Sequence, residues 1–300
     1  MERKTEGKRL VIYLLLSFGL SWLYFIGFIA GGFRWNGEQP RMQSLLGLGM
    51  LVPFMAHLLT RWITKEETRL TGENSLMLGI DFKNGKWKSY LFALLGPWLY
   101  TELAIAAVIL FYPEIWDPTY YQTLNIGLEV VLIYPFAGIV SGVIASFAAL
   151  GEEGGWRGYM MPKLISLFGM KKALLIGGVI WGVWHAPLTC VGHNFGTDYP
   201  GFPYWGILIM SIFCTVMGVM LTYITVRTGS IWPATFMHAV NNQNPAMLLL
   251  LTNQEKVNEL PMFSLMVIRE IPTALIACIF LYLLYRDGYF KSDRHRKEAV

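Results

Sequence analysis

The chain has 300 residues, 54% of them hydrophobic and 15% aromatic, with only 15% charged. Together with a mean hydropathy of +0.44, this excludes an ordinary water-soluble domain. The formal charge of +4 does not indicate a nucleic-acid partner, because the basic residues fall in short clusters between apolar runs, where they set membrane orientation.

A bilayer core needs about 20 apolar residues per helix. Eight stretches reach that length: 10–33, 42–63, 90–112, 128–150, 173–191, 204–226, 231–251 and 264–285. The first follows Met1-Glu2-Arg3-Lys4 and superficially resembles a secretory signal. Its apolar run is too long for one and no small-x-small cleavage site follows, so it reads as a retained helix. Twenty Lys and Arg lie on one side of the resulting topology, from the tail residues Arg3, Lys4, Lys8 and Arg9 through the 61–88 connection to the C-terminal tail. Three lie on the other side (Arg34, Arg41, Lys256), and Arg269 lies inside the last stretch. The expectation is an all-α, polytopic membrane bundle of about eight transmembrane helices with both termini cytoplasmic. No linker or repeat divides residues 1–300, which read as one integral-membrane domain. Cys190, Cys214 and Cys278 are widely spaced in apolar surroundings and read as reduced packing residues. Gly138-x-x-x-Gly142 and Gly178-x-x-x-Gly182 read as sites of close helix approach.

Three polar clusters interrupt the apolar runs. At the end of the fourth stretch stands Glu152-Glu153-Gly154-Gly155-Trp156-Arg157. Glu153 and Arg157 are four apart with the acid first, the favourable order for a helical ion pair. This leaves Glu152 unpaired and, in apolar surroundings, suited to act as a general base. The fifth stretch carries Trp181-x-x-x-His185 followed by Pro187, and the seventh carries His238-x-x-x-Asn242 on one helical face. If the fourth helix ends at its charges, all three clusters meet in the cytoplasmic half of the bilayer. A free carboxylate, two imidazoles and an amide at one depth suit hydrolysis, with a base for water and donors for an oxyanion. His57, Glu102 and the Arg269-Glu270 pair read as packing or paired groups, and His193, Asn194 and Asp198 fall in an outer loop away from the site. There is no H-E-x-x-H, G-x-S-x-G or phosphate-loop motif.

Glu152-Glu153-x-x-x-Arg157, Trp181-x-x-x-His185 and His238-x-x-x-Asn242 resemble, in order and spacing, the three motifs of the CPBP intramembrane proteases. That family includes the type II CAAX prenyl endopeptidases and bacterial bacteriocin-processing and self-immunity proteins. The resemblance covers the segment 128–251. It implies a multi-pass endopeptidase of the cell membrane acting on membrane-associated or lipidated peptides. Glu152 would activate water, His185 would help hold it, and His238 and Asn242 would stabilise the oxyanion, with Glu153, Arg157 and Trp181 in support. Trp181 stands where the family commonly has Phe, a departure expected to reshape the cavity wall without removing chemistry. The resemblance implies no obligatory metal. Were one used, zinc on Glu152, His185 and His238 would be the arrangement. Two other classes remain open: a non-catalytic membrane immunity or partner protein, and a proton-coupled transporter, since intramembrane Glu and His also suit proton relays.

Overall fold

The computed structural model describes residues 2–35 and 37–291. Met1, and the tail cations Arg294, Arg296 and Lys297 counted above, lie outside the described residues. The architecture is helical, and its regular pairing outside helices is one isolated antiparallel bridge between Trp116 and Thr252 among the described residues. In chain order the helices are α1 (Glu2–Ala30), α2 (Pro40–Leu46), α3 (Val52–Ile63), α4 (Trp87–Phe111), α5 (Leu128–Ile144), α6 (Ser146–Gly155), α7 (Met161–Phe168), α8 (Met170–Trp184), α9 (Ala186–Thr189), α10 (Tyr204–Thr228), α11 (Trp232–Asn241), α12 (Gln254–Glu259) and α13 (Met262–Arg286).

Five segments are long and apolar enough to cross a membrane: Arg3–Ala30, Pro40–Ile63, Trp87–Phe111, Tyr204–Thr228 and Met262–Arg286. A sixth forms if α5 and the α6–α7 segment, bent by 59° at Ala145, count as one span. The bundle is therefore a multi-pass membrane protein. The two remaining apolar stretches fold as shorter helices, α8 with 15 residues and α11 with 10. α8 stops at His185 because Pro187 follows and supplies no backbone N–H for a continuing ladder. α11 starts at Trp232-Pro233 and gives way to turns at Asn242, where the chain becomes a run of amides.

The fourth span differs most from the sequence expectation. Instead of ending near Leu150, the chain continues through Glu152 and Glu153, passes a π-helical turn at Trp156–Met160, and runs on as α7 to Phe168. The charges there do not mark a membrane surface; Glu152, Glu153 and Arg157 are each at most 3% exposed inside the protein.

α10 is central and buried along most of its length. α8 lies directly against it, made possible by the predicted glycine pair: a Cβ on Gly178 would strike Thr215, and one on Gly182 would strike the Ser211 backbone. α6 presses against α3 in the same manner, with Gly154 facing the Phe54 ring and Gly155 facing Pro53.

The basic ends of the helices gather on one face. Arg3 donates to the Leu167 carbonyl, Lys163 bridges Glu6 and Glu66, Tyr223 and Arg227 reach Asp287, and Lys171 lies over Phe290. The opposite ends are tied by backbone bonds between loops, Trp35 to Val191, Asp117 to Leu251 and Asn253 to Ile115.

Candidate active site

Glu152, Trp181, His185, His238 and Asn242 line one cavity of about 580 Å³. The sequence places these residues on α6, α8 and α11 and at the end of α11, and the fold brings them together. Glu153 and Arg157 are not in the cavity wall but behind it.

The Glu152 carboxylate is held by two indoles. Trp181 Nε1–H donates to Glu152 Oε2 over 2.7 Å, and Trp156 Nε1–H donates to the same oxygen over 3.1 Å. Trp156 sits four residues on along the same helix face, and Trp181 reaches across from α8. Among the described residues the carboxylate has no ion pair, and its anchors are these two indoles. Both anchors engage one oxygen and leave Oε1 uncommitted among the described hydrogen bonds. Trp181 therefore does more than shape the wall.

Glu153 makes the ion pair expected with Arg157, Oε1 to Nη1 at 3.1 Å. The same oxygen lies 2.8 Å from His238 Nδ1. An ionised carboxylate only accepts, so this contact assigns a proton to Nδ1 and leaves Nε2 outside the pair. His185 is fixed likewise: Nδ1 lies 2.9 Å from the Trp181 carbonyl, also only an acceptor. Both histidines thus offer Nε2. The Arg157 guanidinium caps the Trp181 ring at 4.1 Å from its centroid, so one arginine braces both the Glu153–His238 pair and the indole on Glu152.

Asn242 is solvent-exposed, and its Oδ1 accepts from Asn241 Nδ2 over 3.3 Å; Asn241 in turn accepts from the Tyr100 hydroxyl over 2.8 Å. This bond engages the Asn242 oxygen, which leaves the amide N–H groups as its remaining donors.

Several cavity residues were not expected there. His193 and Asn194, read from the sequence as an outer loop away from the site, line the cavity. The His193 ring stacks parallel to His185 with centroids 6.1 Å apart and is wedged on its other side by Trp35 at 4.3 Å. Arg269 and Glu270 of α13 also line it. His57, read as packing, braces the turn that carries Glu152 and Glu153: its Nδ1 lies 2.8 Å from the Gly154 carbonyl, and its Nε2 accepts from Arg61 Nε over 2.7 Å. Its sequence signal was the i,i+4 spacing from Arg61. Glu102, the other single polar residue, accepts from the backbone N–H groups of Met247 and Leu248.

The depth of the site also differs from the sequence expectation. On α4, α8, α10 and α13 the cavity-lining residues stand eleven to eighteen residues from each helix's basic end, about 16–27 Å at 1.5 Å per residue. His238 is nearer, six residues into α11, but that helix begins already sunk beneath the Met77 backbone, which binds the Ile231 N–H. Between Glu152 and the basic face lie Trp156, Arg157, Tyr159 and Met160, all buried. The cavity is floored on that side.

No three His, Cys, Asp or Glu side chains converge in a metal-holding arrangement among the described residues. Glu152 Oε2, moreover, is already occupied by two N–H donors.

The helical bundle thus gathers a buried carboxylate, two oriented imidazoles and an amide around one cavity. Residues 133–243, which contain all three motifs, match the family model described as type II CAAX prenyl endopeptidase Rce1-like. The chain is also similar to CAAX prenyl protease 2 of Methanococcus maripaludis, 29% identical over 150 residues covering 44% of this chain and 55% of that protein. The chain thus spans just over half the length of that relative. Both matches show similarity to type II CAAX prenyl endopeptidases, the first over the segment that carries the three motifs.

Proposed function

We propose that the protein is an endopeptidase of the cell membrane that hydrolyses a peptide bond of a membrane-associated or lipidated substrate without a metal. The observation that carries this reading is the fixed Glu152 carboxylate, anchored through Oε2 in a cavity that also receives His185, His238 and Asn242.

In the proposed reaction Glu152 Oε1 takes a proton from a water molecule that His185 Nε2 helps to hold. The water oxygen attacks the substrate carbonyl carbon, and the developing oxyanion is stabilised by the Asn242 amide and by His238. For His238 to donate at Nε2 it must carry a second proton, and the Glu153 carboxylate behind Nδ1 favours that charged form. Collapse breaks the C–N bond, with the proton passing from Glu152 to the leaving amine, which yields a new carboxylate and a free amine. Glu153 and Arg157 act as positioning residues.

The metal-free reading is supported by the two indole N–H groups on Glu152, which compete with a cation for the same oxygen. Proteoliposomes of the purified protein, offered fluorogenic peptides with and without an isoprenylated cysteine, should cleave at least one, and Glu152→Ala or His185→Ala should abolish cleavage. Full activity in either variant refutes the assignment. Retention of activity in EDTA tests the metal-free mechanism, and loss restored by zinc would overturn it.

A further inference from the structure

α13 turns one stripe of residues inward, Met266, Glu270, Thr273 and Ala277, at the helical spacing of three and four. Met266, Thr273 and Ala277 are buried. Glu270 is partly buried and lines the central cavity with Thr273 and the preceding Arg269. It stands eight residues beyond Met262, about 12 Å along the span at 1.5 Å per residue. A carboxylate at that depth is destabilising unless a partner satisfies it. α13 also lies outside residues 133–243, so the family match assigns Glu270 no part.

Glu270 Oε2 is buried and has no hydrogen-bond partner among the described residues. The sequence suggested pairing with Arg269, but consecutive helical residues do not face each other. Arg269 is exposed, and although it acts on Glu270 electrostatically, the two form no ion pair among the described residues. The hydroxyls of the facing wall are already committed. Tyr100, within electrostatic reach of Glu270, donates its proton to Asn241 Oδ1, and Thr101 donates to the Pro97 carbonyl. The bonds from Tyr100 to Asn241 and from Asn241 to Asn242 join this wall to the amide assigned above to the oxyanion. Glu152 differs in the same cavity, since two indoles hold it.

We propose that Glu270 is a specificity-determining residue whose carboxylate receives a cationic nitrogen of the substrate, a lysine ammonium or a free α-ammonium, on the Asn242 side of the scissile carbonyl. That the cation belongs to a peptide rests on the endopeptidase reading above. An ammonium brings three donors and no acceptor, which complements a carboxylate oxygen that has no donor. The water-poor cavity strengthens the attraction between the two charges. A hydrocarbon side chain at the same place would leave Oε2 unsatisfied, so the group that favours a cation also selects against an apolar residue.

Binding tests this without requiring cleavage. The full-length Glu152→Ala protein in lipid nanodiscs would be titrated, by microscale thermophoresis, with peptides carrying Lys or its uncharged analogue norleucine at each position in turn, the N-terminus free or acetylated. Lys at one position, or the free N-terminus, should bind about tenfold tighter than its uncharged counterpart, the scale of one charged hydrogen bond. Adding Glu270→Gln should remove that preference. Glu270→Lys should invert it in favour of a Glu-bearing peptide, a gain that a misfolded protein would not show. Whichever arm responds, lysine or N-terminus, identifies the source of the cation. Equal binding of charged and uncharged peptides, a preference that survives Glu270→Gln, or no peptide binding at all overturns the proposal. Hydrolysis by the parent protein is read separately, so binding of cationic peptides through Glu270 without cleavage of any would sink the endopeptidase reading alone.

Discussion

At Glu152 two indole N–H groups share one carboxylate oxygen, and the geometry assigns them different reach. Trp156 belongs to the same helix and moves with Glu152. Trp181 belongs to α8, so its 2.7 Å bond fixes the acid relative to His185, four residues further along that helix. A hydrogen bond to a charged group contributes about 1.5–3 kcal/mol. Trp181→Phe should therefore lower kcat by roughly tenfold to a hundredfold, with KM little changed because the ring remains. A fall in KM-limited binding with kcat intact would show that the indole serves only the wall. The donor was invisible in the sequence because Trp in an apolar run is indistinguishable from packing. The motif spacing did expose the Glu153–Arg157 pair, since i,i+4 geometry is local. It could not expose His238 as the third member, because that contact joins residues 85 apart in the chain.

At the scale of elements, the fourth span explains why the expected depth was misplaced. Hydropathy ends a span at the first cluster of charges, a rule that assumes charges seek water. Here Glu153 pairs with Arg157 and two indoles hold Glu152 inside the bundle, so the helix continues to Phe168 and Glu152 falls mid-span. The apolar stretches themselves were legible, and six of them correspond to long or bent spans, whereas the breaks after His185 and Asn241 turn the other two into short helices. The α8–α10 contact was legible through its glycines and is also the most sensitive to change. Gly182→Ala would drive a methyl group into the Ser211 backbone, and overpacking of this type costs about 1–3 kcal/mol. The detergent-solubilised variant should melt several degrees below the parent and lose activity, as Gly182 lies between Trp181 and His185. An unchanged Tm would show that α10 yields easily, contrary to its buried setting.

Across the whole molecule, the basic face is held by a buried ionic cluster. Glu66 accepts from Lys163 over 2.5 Å and from the Tyr159 hydroxyl over 2.8 Å, with Arg61 and Arg9 close by, joining α1, α3, α7 and the loop between α3 and α4. Burial pushes the Glu66 carboxyl upward, but the Lys163 ammonium, the Tyr159 hydroxyl and the Arg61 guanidinium outweigh it and hold it below its ordinary value of 4.5. A carboxylate lowered on folding stabilises the fold above the unfolded value, and that contribution fades as pH falls through the lowered one. Thermal stability should thus decline below pH 4.5. Glu66→Gln, which removes one partner of a buried pair, should cost about 3–5 kcal/mol at neutral pH and flatten that acid slope. A variant with unchanged neutral stability and the same acid slope would show that the cluster is solvated in the membrane.

The packed layer of Trp156, Arg157 and Tyr159 beneath the cavity has an electrical meaning. A water-filled vestibule carries the potential of its own side inward, so the membrane voltage drops across the layer that remains. Moving a unit charge through it involves about 2.3 kcal/mol per 100 mV. The protein's aromatic floor is then its insulator, and Trp156→Ala should make liposomes containing it leak protons under an imposed potential. Liposomes as tight as those with the parent protein would mean that the insulation lies elsewhere in the bundle.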